Sequence, residues 1–220
     1  YEYAKKASER FGLNLIKVQS KEVDSLKCLQ DYSKECGEPT MGGLIPYIVS
    51  EQASKYGKVA ITANGADELF FGYDRTQWEV AKQMRHIFRP GFEVMYTEMY
   101  LKWFALDQNL VETGGKRWYE LITYVAFDLN KTLDFASMCH GLEVRSPFLN
   151  HKLVENALSI PVQKHCSKRF GHKSILKTML SNMGFDDNFL NRQKLGFSLH
   201  NPPNDLEGLK KEAYKWAKKE

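Results

Sequence analysis

The stretch Ala60–Arg75 reads Ala-Ile-Thr-Ala-Asn-Gly-Ala-Asp-Glu-Leu-Phe-Phe-Gly-Tyr-Asp-Arg. It is entered by a short apolar run, Lys58-Val59-Ala60-Ile61-Thr62, with the β-branched content and length of a buried strand. The run breaks at the turn dipeptide Asn64-Gly65, where glycine can take a positive φ and swing backbone N–H groups toward a ligand. Asp67 and Glu68 follow where a helix would begin, and Leu69, Phe70 and Tyr73 supply its apolar face. Strand, tight glycine turn and acidic helix start is one way to hold a nucleotide and its metal ion at the carboxyl end of a sheet. The same turn also occurs in α/β proteins with no ligand there.

Outward from this loop the chain alternates. Glu2–Phe11 has helical apolar spacing with Gly12 as its C-cap. Leu13–Val18 predicts a strand. Ser20 predicts the cap of a second helix running to about Tyr32, and Ile45, Ile48, Val49, Ala53 and Tyr56 mark a third. Helix, strand, helix, helix, strand is α/β grammar with right-handed crossovers. After Asp74 strand signals nearly vanish. Asp74–Phe88, Gly91–Leu106 and Lys116–Asn130 read as helices rich in Trp, Tyr, Phe and Met. Asn150 opens another helix, His172–Met183 carries one apolar face, and Asp205–Lys219 closes the chain as a Lys-rich helix. The expected organisation is a nucleotide-binding α/β part over residues 1–75 and a helical part over 76–220.

Composition narrows the function. Hydrophobic residues make 43% and charged residues 26% of 220, the balance of a globular protein large enough for a sizeable core. The net charge of +4 is mild and the charges are interspersed, which gives no support to a nucleic-acid partner. No run has the length of a membrane span, and no signal-peptide pattern opens the chain. Cys28, Cys36, Cys139 and Cys166 lack any CxxC spacing, so reduced thiols in a cytoplasmic protein are expected rather than a zinc site.

Three blocks together resemble the synthetase domain of the asparagine synthetase family. Thr62–Arg75 is similar to its Ser-Gly-(Glu/Asp)-Gly-x-Asp-Glu-(Leu/Val)-Phe-Gly-Gly-Tyr segment. Asp134-Phe-Ala-Ser-Met-Cys-His-Gly-Leu-Glu-Val-Arg-Ser-Pro-Phe-Leu-Asn-His151 looks like its Asp-Arg-x-Ser-Met-x-x-Gly-(Leu/Val)-Glu-x-Arg-x-Pro-Phe-Leu-Asp block, and Arg192–Phe197 like its Arg-x-Lys-x-x-Phe motif. The resemblance implies a partial parallel sheet of the adenine nucleotide alpha-hydrolase kind, followed by a helical region. It also implies ATP and Mg2+ as cofactors. ATP activates a carboxylate as an acyl-adenylate with release of pyrophosphate, and ammonia then attacks to give an amide. Aspartate is the nominated carboxylate, asparagine the product, and ammonia or glutamine the nitrogen source.

Residue by residue, the resemblance places the backbone of Thr62, Ala63 and Gly65 against ATP and the carboxylate of Asp67 on magnesium. A carboxylate with phosphate oxygens is a coordination magnesium favours. Lys194 matches the lysine that neutralises pyrophosphate, and a point charge on a flexible stem suits that task. Asn64 stands where the family carries Glu or Asp, a carboxylate that takes a proton from ammonia; Asn cannot act as a base. Glu143 and Arg145, alternating along Leu-Glu-Val-Arg, are expected to form a buried structural pair that shapes the site, with substrate binding as the lesser role. Asp128, Asp134, His140 and His151 carry weaker signals.

The chain opens on Tyr1, with no Ser-Gly-Gly-x-Asp-Ser pyrophosphate loop and no glutaminase domain before it. A truncated or split synthetase is therefore expected, whose partners are the loop-bearing segment or chain and a glutaminase. A sheet without its first strand should have a sticky edge. Two alternatives stay open: a related amide- or lactam-forming ligase acting on another carboxylate, favoured by Asn64, and a non-catalytic degenerate synthetase partner. A chance match on an unrelated nucleotide-binding fold is a weaker third.

Overall fold

The computed structural model describes residues 1–17, 23–36, 42–72, 117, 120–161, 164–165, 167–193, 211–212 and 215–216. The fold is mixed α/β, mostly helical, with a small parallel sheet. The chain divides into two compact units, each discontinuous in sequence. The proposed division at residues 75 and 76, with the helices expected over Asp74–Phe88 and Gly91–Leu106, lies outside the described residues, as do Tyr73, Cys166 and Lys194.

The first unit comprises Tyr1–Ile61, Asn130–Arg145 and Arg192–Glu220. Helix α1, Glu2–Phe11, ends as its sequence predicts: Gly12 takes the left-handed conformation, with φ 64°. The strand expected over Leu13–Val18 does not form across its described part. Leu13–Lys17 runs as irregular, exposed chain. Alternating apolar residues become a strand only when a neighbour satisfies the backbone groups, and no described strand lies alongside.

Helix α2 is Ser25–Cys36 and α3 is Leu44–Ala53. Asp24 precedes α2 and its Oδ1 accepts the Lys27 N–H at 3.0 Å, while Ser20, the expected cap, lies outside the described residues. Leu29, Leu44 and Ile48 are buried together, and Trp216 packs against them. Gly43 is required between the two helices, because a Cβ there would stand 2.0 Å from the ring of buried Tyr32. Strand β1, Val59–Ile61, pairs in parallel with β2, Glu143–Arg145, in the register Val59–Glu143, Ala60–Val144, Ile61–Arg145. Contrary to a buried strand, Val59 and Ile61 are exposed, at 58% and 77%. The sheet has only two strands among the described residues, so that face stays uncovered.

The second unit comprises Thr62–Leu129 and Ser146–Asn191. It contains α4, Ala66–Leu69; the wide π-type helix α5, Leu121–Leu129; a 3₁₀ turn, Pro147–Leu149; and α7, His151–Ser159. Between α5 and α7 in sequence, the chain passes through the first unit as α6, Asn130–Met138, and β2. Asn150 caps α7 as expected, its side chain accepting the Lys152 N–H at 3.1 Å. Helices α8, Ser174–Asn182, and α9, Asp187–Leu190, complete the unit. Its core is Leu69, Phe70, Leu121, Val125 and Ala157, with Leu149, Leu153, Leu158, Ile175 and Leu176 packed around them. Each such side chain removed from water contributes about 1.5–3 kcal/mol.

Glu143 and Arg145 do form an ion pair along β2, but an exposed one, with side chains 50% and 66% open to solvent. Strand periodicity puts both on one face, and that face is solvent. Exposed pairs contribute about 0–1 kcal/mol. Glu143→Gln combined with Arg145→Gln should therefore move the urea midpoint of unfolding by no more than a few tenths of a molar. A loss of several kcal/mol would mean that the pair is structural.

Candidate active site

The loop Thr62–Gly72 holds the residues nominated for the site. Gly65, as its position in a turn dipeptide predicts, has φ 89° and ψ −17° and precedes α4. Two separate constraints hold it as glycine. The left-handed backbone is one. The other is space: a Cβ would lie 2.3 Å from Leu149 Cδ2, inside the core. Leu69 N–H closes the first helical bond onto Gly65 O at 3.0 Å, and Ala66 N–H bonds Ala63 O at 3.1 Å. Ahead of the turn, Ala63 is exposed while Thr62 and Asn64 are half-buried. The Thr62 hydroxyl donates to Asn64 Oδ1 at 3.2 Å, which occupies the amide oxygen and fixes the amide.

Helix α4 sends its two carboxylates to different surroundings. Glu68 is buried, 1% exposed, whereas Asp67 keeps about a quarter of its side chain in solvent. Asp67 Oδ1 lies 2.7 Å from the ammonium of Lys173. Both press on Gly72, where a Cβ would stand 1.7 Å from Asp67 Oδ1 and 2.3 Å from Lys173 Cε. Gly72 N–H in turn bonds Asp67 O at 2.7 Å.

Sequence reading did not single out Lys173. Its signal is the place it occupies: Gly171-His172-Lys173 directly precedes an apolar helical run, where the helix dipole disfavours a cation. Lys173 moreover has φ 55°, a left-handed conformation that costs a non-glycine residue about 1 kcal/mol or more. A cation held at a helix start in a strained backbone needs a compensating partner, and Asp67 is one.

Below this pair lies buried polar structure that the sequence did not announce. Arg117 is 2% exposed and His165 fully buried. Arg117 Nη1 donates to Ala157 O at 3.0 Å and to Leu69 O at 3.4 Å, and lies 3.0 Å from His165 Nε2. Arginine carries no acceptor, so the Arg117–His165 contact is a hydrogen bond when Nε2 is the unprotonated ring nitrogen. Arg117 also lies over the Phe71 ring at 4.9 Å, and Phe71 holds φ 57°. Burial first, and then the Arg117 charge, push the His165 pKa down to about 4.

As a magnesium site, the loop offers one carboxylate and no protein cage: no group of three or more metal-ligating side chains is placed to hold an ion among the described residues. That donor set fits a magnesium that arrives with phosphates and keeps its waters. The Asp67 carboxylate already faces a cation, the Lys173 ammonium. Thr62, Ala63, Asn64, Gly65 and Asp67 thus lie together on one turn, while Glu143 and Arg145 lie on β2 in the other unit. No described helix is long and apolar enough to cross a membrane.

The chain belongs to the asparagine synthase family, whose model matches residues 1–220, and members of this family are ATP-dependent ligases. It is 31% identical over 128 residues to a Methanocaldococcus jannaschii protein whose name provisionally describes it as a glutamine-hydrolyzing asparagine synthetase. The matched stretch is 57% of this chain and 19% of that relative, so the chain spans a minor part of its length. No solved structure matches the chain.

Gly65→Ala should cost about 2 kcal/mol or more, read as a lowered urea midpoint, because it adds both backbone strain and a core clash. An unchanged midpoint would contradict the packing described. For His165 the depressed pKa works against acid. Its contribution is complete above pH 6.5 and is lost as pH falls toward 4, on the order of 3 kcal/mol in all. Unfolding measured at pH 7 and pH 4.5 should show this loss, and His165→Gln should flatten it. An equal acid loss in His165→Gln would assign it elsewhere.

Proposed function

We propose that this chain is part of an asparagine synthetase-like carbon–nitrogen ligase, with Thr62–Asp67 as its ATP- and magnesium-binding loop. The observation that carries the reading is the Asp67 carboxylate, presented by the Gly65 turn, partly open to solvent and 2.7 Å from Lys173. Bound magnesium-ATP would supply the adenylyl group that turns a carboxylate into an acyl-adenylate, with pyrophosphate as the leaving group. The chain's own part is positional: backbone of Thr62, Ala63 and Gly65 toward the nucleotide, Asp67 toward the metal, and positive charge from Lys173 and Lys194 toward the phosphates. The adenine nucleotide alpha-hydrolase-like sheet belongs to the same proposal, with β1 as the strand that delivers the loop. Aspartate as substrate, ammonia from a glutaminase, and a loop-bearing pyrophosphate segment as partner come from family likeness. A cytoplasmic setting suits Cys28, Cys36 and Cys139, all free thiols, of which burial pushes Cys28 and Cys139 above the usual thiol range.

One observation favours a second reading. Asn64 is no base, and its amide oxygen is already engaged by Thr62. A ligase acting on another carboxylate, with a nucleophile that needs no base at this position, fits that arrangement, and so does a degenerate partner.

In the full-length protein, Asp67→Ala and Lys194→Ala should each lower pyrophosphate release at least 100-fold with the fold retained by circular dichroism. Wild-type rates with magnesium present would remove the site assignment. Asn64→Glu should raise ammonia-dependent turnover if this position tunes proton removal, and an unaltered rate would show that it does not.

A further inference from the structure

Asp67 sits on a four-residue helix, too short to hold its own geometry. Lys173 sits outside the helix it precedes, in a strained conformation. Their charged atoms nonetheless lie 2.7 Å apart. Among the described residues, Arg117 is bonded toward both. Arg117 reaches the last residue of α4 through Leu69 O, at 3.4 Å. The same Nη1 lies 3.0 Å from His165 Nε2, and the carbonyl of that same His165 accepts the N–H of Ser174, the residue after Lys173, at 2.9 Å. A third arm, to Ala157 O at 3.0 Å, anchors the guanidinium to the end of α7. The aromatic face of Phe71, itself between α4 and Gly72, supports it at 4.9 Å.

We propose that Arg117, acting through Leu69 and His165, is the positioning residue that sets the Asp67–Lys173 pair. The planar guanidinium suits the task because its Nη1 is shared among Leu69 O, Ala157 O and His165 Nε2 at fixed angles, so a shift of either loop weakens that shared set. Burial sharpens this effect, since a guanidinium 2% exposed cannot exchange a lost carbonyl for water. The catalytic meaning of the pair rests on the ligase reading above; the clamp itself does not.

The test is a double-mutant cycle between Asp67→Asn and Lys173→Met on the full chain, read as unfolding constants in urea. It is run in the wild-type background and again with Arg117→Lys, His165→Leu and His165→Gln. In wild type the coupling should be about fivefold in the unfolding constant. It should fall to near unity with Arg117→Lys and with His165→Leu, and return with His165→Gln, whose amide oxygen can accept from Arg117. A merely structural Arg117 would lower stability and leave the coupling intact, and coupling preserved in Arg117→Lys and His165→Leu would overturn the proposal. Should Arg117→Lys not fold, the contrast between His165→Leu and His165→Gln decides: a difference in coupling supports the clamp and equal coupling ends it. Pyrophosphate release by the same variants bears separately on the ligase reading, because the clamp can be present in a chain that makes no adenylate.

Discussion

The second unit depends on one crowded turn. At Gly65 the backbone passes through φ 89° with Leu149 Cδ2 in the space a side chain would need. The turn reverses the chain in two residues and starts a helix whose first turn is Ala66-Asp67-Glu68-Leu69. Leu69 and Phe70 enter the core, Glu68 is drawn in with them, and Asp67 alone keeps solvent. A bulkier residue at 65 would move Leu149 and with it the packing that aims Asp67. The same glycine therefore serves folding and site geometry, and the two roles are not separable by inspection of the sequence.

The charge arrangement has a recognisable economy. A buried guanidinium is costly unless its donors are met, and Arg117 meets carbonyls at the ends of two helices, where acceptors are left over. Those carbonyl ends carry the negative pole of each helix, so the cation is stabilised where it sits. His165 adds a neutral acceptor, and the low pKa that burial and Arg117 impose keeps it neutral at ordinary pH. Above this layer Asp67 and Lys173 stay partly open to solvent, pressed together over Gly72. Mobile ions and substrates can reach the upper pair but not the lower cluster.

Local features of the chain were legible in sequence wherever chemistry is local. The left-handed caps at Gly12 and Gly65, the Asn150 cap and the existence of helices α3 and α8 follow from residue type and spacing, whereas Val49, Tyr56, Met179 and Met183, expected on their apolar faces, are exposed. The sheet was less so. A run such as Leu13–Lys17 has strand composition, yet pairing is decided by distant neighbours, and it stays irregular. Exposure failed for the same reason at Val59, Ile61, Glu143 and Arg145: alternation tells which residues share a face, not whether anything covers it. Among the residues gathered around the turn, the family likeness nominates Asp67, whereas Lys173, Arg117 and His165 went unnamed in the sequence reading. Their roles arise from contacts between segments far apart in sequence, and a lone lysine, arginine or histidine carries no periodic signal.

Family membership fixes the broad chemistry, and Asp67 is where this chain would touch it. Magnesium-ATP binding to the full-length protein, measured by calorimetry for wild type and Asp67→Asn, tests that most directly. The account predicts binding that requires magnesium and weakens at least tenfold in the variant. Equal affinity in the two proteins would contradict it, and would leave the Gly65 turn as a structural corner with its carboxylate serving Lys173 alone.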